Sequence, residues 1–112
     1  MDPLSLIETK PGAYSLILHA GSTPVDEVIE ELGHEPNGYF WEGVAQLVVR
    51  SDAPHLEGRF RYDPEGSMFC AYGADRAALE ELATHLASVA TDAVRARLIV
   101  TNAEAQGFEF DD

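Results

Sequence analysis

The sequence predicts an α+β fold: a four-stranded antiparallel sheet made of two hairpins, with helices layered on one side, in the order ββααββαα. Two pairs of segments have strand-like patterns, and a turn sequence joins the members of each pair. Two segments with helical spacing follow each pair. Strands joined by tight turns are antiparallel, and a sheet with one apolar face buries it against helices. A length of 112 residues suits one domain, which we expect to span residues 1–112.

The first predicted hairpin pairs residues 4–7 with residues 14–19. Lys10, Pro11 and Gly12 lie between them. Proline fixes φ and glycine accepts a positive φ, so Pro11-Gly12 suits the centre of a type II turn.

The second predicted hairpin begins with a strand over residues 56–62, where Leu56, Gly58, Phe60 and Tyr62 alternate with charged side chains. This period of two is typical of a strand with one solvated face. Residues 63–66, Asp-Pro-Glu-Gly, predict a turn, and residues 68–72 predict a mostly buried return strand.

Two helices are predicted after the first hairpin. Thr23 is a candidate N-cap with Pro24 as the first helical residue, and Gly33 is a candidate stop. The apolar stripe of this helix is Val25, Val28, Ile29 and Leu32. Asn37 is a candidate cap for a helix over residues 39–49, with a shared face formed by Trp41, Val44, Ala45 and Val48.

Two more helices are predicted after the second hairpin. Asp75 is expected to cap the first, whose buried stripe is Leu79, Leu82, Ala83, Leu86 and Val89. Asp92 is expected to start the second, with Gly107 as its stop. This helix carries Val94, Leu98 and Thr101 or Asn102 along one side. Phe108 and Phe110 flank Glu109 and favour a short terminal strand.

Charge is the strongest compositional feature. Twenty acidic and seven basic side chains give a formal net charge of −13. Phosphate backbones and anionic membranes repel such a chain, so we expect neither a nucleic acid nor a membrane as partner. A basic protein is the partner that the charge favours, although solubility alone is an alternative explanation. The single cysteine and the lack of a secretory signal lead us to expect a cytoplasmic protein.

No motif in the sequence predicts catalysis, a metal site or a cofactor. His19, His34, His55 and His85 lack metal-ligand spacing. Cys70 lies within an apolar strand, where burial raises a thiol pKa and removes the reactive thiolate. We therefore expect no catalytic residues, and the chain is not predicted to be an enzyme.

The segment most suggestive of function lies between residues 26 and 42. No Lys or Arg occurs from Pro11 to Val49, and Tyr39-Phe40-Trp41 stands within this unopposed acidic stretch. Tyr and Trp are common in interface hot spots, and a carboxylate rim attracts a basic partner. The predicted contacts are Glu27, Glu30, Glu31, Glu35, Tyr39, Trp41 and Glu42. The alternative places Phe40 and Trp41 in the core and the acids on a solvated helix face.

Residues 38–45, Gly-Tyr-Phe-Trp-Glu-Gly-Val-Ala, resemble the immunity protein 51 family of bacterial polymorphic toxin systems. Residues 63–73 and 108–110 carry the rest of the resemblance. The resemblance implies a small α+β protein that binds a cognate toxin and blocks it, without catalytic residues of its own. The family resemblance supplies no residue-by-residue map of the toxin contacts.

Two other functions remain open from the sequence. One is a small ligand-binding domain or enzyme with a pocket between sheet and helices, in which Trp41 and His34 converge with Arg59 or Arg61. The other is a structural or regulatory subunit whose acidic surface only confers solubility. The sequence does not determine the oligomeric state.

Overall fold

The computed structural model describes residues 3–112 and has the element order ββααββαα. The strands are β1 (Leu4–Lys10), β2 (Ala13–His19), β3 (Arg61–Tyr62) and β4 (Met68–Gly73). The helices are α1 (Asp26–Glu31), α2 (Gly38–Asp52), α3 (Arg76–Ala90) and α4 (Ala93–Ala105), with a short 3-10 turn at Pro54–Leu56. The predicted fold class is confirmed. Within residues 3–112, no helix has the length and apolarity needed to cross a membrane.

The sheet has the strand order β1-β2-β4-β3, and all neighbours are antiparallel. The first hairpin is confirmed, since Lys10 pairs with Ala13 and Gly12 has a φ of +80°. The predicted strand over residues 56–62 is wrong for most of its length, because only Arg61–Tyr62 pairs with β4. Leu56 belongs to the 3-10 turn and Gly58 has a φ of +79°, so the chain leaves the extended conformation there despite its alternating pattern.

One face of the sheet forms the core. Leu4, Leu18 and Phe69 pair across neighbouring strands, and Leu16 and Ala71 pair two residues further along on the same face. These five side chains are buried. Helices α2 and α3 pack on this face, and α4 packs on α1, α2 and α3 as a further layer.

Side-chain caps set the starts of the three long helices. The Asn37 side chain accepts from the Phe40 N–H at 2.9 Å, and that of Asp75 accepts from the Ala78 N–H at 3.0 Å. Asp92 accepts from two N–H groups of the first turn of α4. Thr23 does not cap α1, because its hydroxyl hydrogen-bonds to the Asp26 carboxylate instead of to a backbone N–H.

The predicted inner side of α4 is wrong. Val94 is 70% exposed and Leu98 is 54% exposed, whereas Ala96, Val100 and Ala103 are buried. The small alanines face inward, which allows α4 to approach the helices beneath it. The predicted terminal strand is also wrong, since residues 108–112 have no regular secondary structure. Phe110 instead stacks on Phe40, with 5.0 Å between ring centroids.

Candidate partner-binding face

Three of the predicted contact residues lie on the outer side of α1. Glu27, Glu30 and Glu31 are exposed and occupy positions i, i+3 and i+4, which share one side of a helix. Val25 and Ile29 hold the other side in the core. Glu31 forms an ion pair with Arg97 of α4 at 3.1 Å. Helix α1 therefore presents three carboxylates, one of them paired.

The loop after α1 is tied to the last residues of the chain. The His34 Nδ1 atom lies 3.0 Å from the Asp112 carboxylate, and Nε2 lies 3.2 Å from the Glu104 carboxylate. The Asp112 carboxylate also accepts from the Glu35 N–H at 2.8 Å. Asp112 is thereby held beside the loop that follows α1.

The contacts around His34 shift two pKa values in opposite directions. Burial lowers the pKa of His34, but the carboxylates of Asp112 and Glu104 outweigh this effect and raise it above 6.5. Burial raises the pKa of Asp112, but the Glu35 N–H and His34 outweigh this effect and lower it below 3.8. Both shifts favour a charged imidazolium beside a charged carboxylate.

The first turn of α2 supplies the remaining predicted contacts. Tyr39 is 42% exposed. Glu42 is half-buried, and its carboxylate accepts from the Gln46 side-chain amide at 3.0 Å. Burial raises the pKa of Glu42, and the nearby charge of Asp111 raises it further. Glu42 and Asp111 therefore concentrate negative charge beside Tyr39.

Trp41 is the one predicted contact that the structure contradicts. Its side chain is 0% exposed, and Phe40 is 1% exposed. The alternative interpretation of the sequence, which placed both rings in the core, is confirmed for these two residues. Only Tyr39 of the three adjacent aromatics lies at the surface, because successive helical positions are about 100° apart and α2 has one buried side.

Contacts through Arg97 and His34 connect Glu31, Glu104 and Asp112, and we call these acids and their acidic neighbours the acidic face. Glu31 contacts Arg97 of α4, and His34 connects Glu104 of the same helix to Asp112. The acidic face comprises Glu27, Glu30, Glu31, Glu35, Glu42, Glu104, Asp111 and Asp112, with Tyr39 at its edge. The sequence prediction missed the last three acids. Two of them follow Phe108-Glu109-Phe110, where the apolar rings were a signal that this segment packs onto the domain.

The alternative pocket between sheet and helices, in which Trp41 and His34 converge with Arg59 or Arg61, is not formed by these side chains within residues 3–112. Trp41 is buried and His34 is held by carboxylates, while Arg59 pairs with Asp75 at 3.3 Å. Arg61 lies on the rung of Tyr72, whose side chain points to the face of the sheet opposite the core. Burial raises the pKa of the Cys70 thiol, which disfavours the thiolate. Within residues 3–112, no group of three or more His, Cys, Asp or Glu side chains is arranged to hold a metal ion.

Two cavities lie along α2. One of about 530 Å³ separates α2 from α4, on the side of α2 away from the sheet. Another of about 200 Å³ lies between α2 and residues 56–62. Neither cavity is lined by His34, Trp41, Arg59 or Arg61.

Comparison with known proteins identifies the family. The family model described as immunity protein 51 matches residues 4–105, which includes every strand and helix of the fold. Residues 108–110, part of the sequence resemblance, lie outside the matched range. Neither the curated proteins nor the solved structures give a significant match. Because the match covers most of its 112 residues, this chain belongs to the immunity protein 51 family.

Proposed function

We propose that this chain neutralises a cognate bacterial toxin by binding it through the acidic face and blocking its action. Family membership supports an immunity function and, with it, a toxin partner and a non-enzymatic role. The observation that carries the choice of surface is the set of contacts that connects α1 to α4 through Glu31 and Arg97, and connects α4 and the loop after α1 to Asp112 through His34. We place the encounter in the cytoplasm.

The chemistry of this face favours a basic toxin surface. Within residues 3–112, Arg97 pairs with Glu31 and His34 pairs with Glu104 and Asp112, while the exposed Glu27, Glu30 and Glu35 carboxylates form no ion pair and leave a net negative field. Such a field accelerates association with a basic partner by about 10- to 1000-fold at low salt. If the toxin acts on nucleic acid, the same carboxylates occupy its phosphate-binding groove and compete with the substrate.

Half-buried Glu42 and the exposed ring of Tyr39 supply specificity. Glu42 is partly withdrawn from water, and its side-chain position is fixed by Gln46. Tyr39 adds an amphipathic ring at the edge of the carboxylates, and rings of this kind contribute strongly at interface centres. The exposed acids of α1 are suited to steering, whereas Tyr39 and Glu42 are suited to close contact.

The test replaces Glu27, Glu30 and Glu31 with Lys and measures association with the cognate toxin domain. Binding kinetics are recorded at low and at physiological salt, together with protection of cells that express the toxin. The expected result is an association rate at least about tenfold lower at low salt, with loss of protection. Circular dichroism checks that the variant is folded.

A charge-matched control separates the position of the charges from their number. Replacing Glu8, Glu57 and Glu65 with Lys changes the net charge equally, at exposed residues outside the acidic face. This control should retain protection and most of the association rate. Equal losses in both triple variants would show a general charge effect, and full protection by the α1 variant would reject the acidic face as the binding surface.

A further inference from the structure

The groove between α2 and α4 is a second surface with the properties of a docking site. Val94 and Leu98 are exposed at positions i and i+4 of α4, so they lie on one side of that helix. Both line the groove of about 530 Å³, together with Leu47 of α2 and Ile99 of α4. Single exposed apolar side chains are ordinary, but a row of them along a concave surface marks an interaction site.

Two arginines of the groove, Arg50 and Arg95, retain N–H donors that no acceptor within residues 3–112 engages. Arg50 lines the groove and forms no ion pair within residues 3–112. The Nε atom of Arg95 is buried and has no hydrogen-bond acceptor in that part of the chain. A buried N–H without an acceptor costs about 1–3 kcal/mol, so a partner that supplies one is favoured.

The two carboxylates of the groove are already engaged. Asp52 accepts from the Arg95 guanidinium at 2.9 Å. One carboxylate oxygen of Asp92 accepts from the N–H groups of Val94 and Arg95 at the start of α4. The groove therefore offers cationic donors to a ligand, although the chain as a whole carries a net charge of −13.

We propose that the α2–α4 groove docks an amphipathic helix of a partner protein that carries acidic side chains beside its apolar ones. Apolar side chains of that helix pack on Leu47, Val94 and Leu98, and a carboxylate reaches Arg50 and Arg95. A groove between two helices, with anchors one helical turn apart, matches the spacing of side chains on an incoming helix. A carboxylate suits the planar guanidinium group better than any neutral acceptor.

The charge pattern sets this site apart from the acidic face. The acidic face attracts cationic partners at long range, whereas the groove selects an anionic side chain at short range. Because the whole molecule repels an acidic helix, moderate salt should leave binding in the groove unchanged or strengthen it. Association at the acidic face should weaken under the same change.

The test titrates the protein, labelled with nitrogen-15, with a synthetic helical peptide of about four turns and records amide chemical shifts. The peptide has leucines one turn apart and glutamates beside them. A matched peptide has lysine in place of each glutamate. The expected result is that the glutamate peptide shifts amides at the end of α2 and along α4, and binds more tightly than the lysine peptide.

Variants locate the contact. Arg50→Glu and Leu98→Asp should each weaken binding of the glutamate peptide by about tenfold or more. Both changes are at surface positions, so the fold should tolerate them. Arg61→Glu makes the same charge change on the sheet and should leave binding within about twofold of the parent.

Three outcomes would overturn the proposal. The first is tighter binding of the lysine peptide, or shifts confined to other elements, which would mean that net charge governs the contact. The second is no binding of either peptide. The third is a parent protein that sediments as a dimer and a Leu98→Asp variant that sediments as a monomer, because the groove would then be filled by a second copy.

Discussion

Replacing Gly38 with Ala should destabilise the protein strongly, because α2 begins in contact with the backbone of the second hairpin. A Cβ atom on Gly38 would lie 2.0 Å from the Glu65 carbonyl oxygen and 2.1 Å from that of Met68. Real Cβ atoms essentially never come within 3.0 Å of such neighbours. Both neighbours are backbone atoms, one in the turn before β4 and one in the first residue of β4, so no side chain can rotate away. Either α2 or the turn must move by about 1 Å.

The cost follows from what that movement breaks. Overpacking costs about 1–3 kcal/mol, and occasionally more. The shift also strains the hydrogen bond from the Gly38 N–H to the Gly66 carbonyl and the two backbone hydrogen bonds between Glu65 and Met68. We expect a loss of about 3 kcal/mol in the free energy of unfolding, equivalent to a melting temperature lower by about 12 °C for a chain of this size.

Gly43→Ala is the matched control for this substitution. Its Cβ would lie 2.7 Å from Cδ1 of Phe110, which is a side chain on the irregular segment 108–112. That ring can shift, and alanine improves helix propensity by up to about 1 kcal/mol. The net change should stay within about 1 kcal/mol of the parent.

The assay is urea unfolding followed by the fluorescence of Trp41, the only tryptophan and a fully buried one. The reasoning is refuted if Gly38→Ala unfolds within about 1 kcal/mol of the parent, or if Gly43→Ala is the more damaging change.

Two further predictions concern the last part of the chain. Asp112→Asn keeps an oxygen that accepts from the Glu35 N–H but removes the charge beside His34, and should cost about 1 kcal/mol or less. Because the pKa of His34 is raised in the folded state, its contribution to stability is complete below pH 6.5 and is lost as the pH rises through the folded-state pKa. Because the pKa of Asp112 is lowered, its contribution is present above pH 3.8 and is lost as the pH falls through the folded-state pKa. The difference between parent and variant in urea unfolding should thus be larger at about pH 6 than at about pH 9, and an equal difference would contradict the ion pair. On α4, Val100→Ala should cost about 1–2 kcal/mol because Val100 is buried, whereas Leu98→Ala should change stability by less than about 0.5 kcal/mol. Thermal unfolding of both variants checks this order. A larger loss for Leu98→Ala would mean that Leu98 faces the core, as the sequence predicted.

Local chemistry made much of the fold predictable. Asn37, Asp75 and Asp92 each provide an N-cap, and the structure has a helix beginning directly after each of them. Pro11-Gly12 forms the predicted turn because its conformational preference is intrinsic to the two residues. The pattern over residues 56–62 failed because alternation does not reveal that Gly58 adopts a positive φ.

The sequence could not determine which way α4 faces. Val94 and Leu98 are the larger apolar residues, and hydrophobicity alone places them inside. The distance between α4 and the helices beneath it selects Ala96 and Ala103 instead, because small side chains allow close approach. That selection leaves two large apolar side chains exposed beside Arg50 and Arg95, which produces the groove.

By itself, the sequence determined the order of strands and helices, the caps of the three long helices, and the acidic character of residues 26–42, because each depends on near neighbours along the chain. Only the tertiary structure decided that Trp41 is buried, that Glu104 lies beside His34, and that Asp112 and Asp111 lie beside Glu35 and Glu42 respectively. These outcomes depend on packing between residues about 70 positions apart along the chain, such as His34 with Glu104. Periodicity and spacing describe local geometry and carry no information about contacts at that separation.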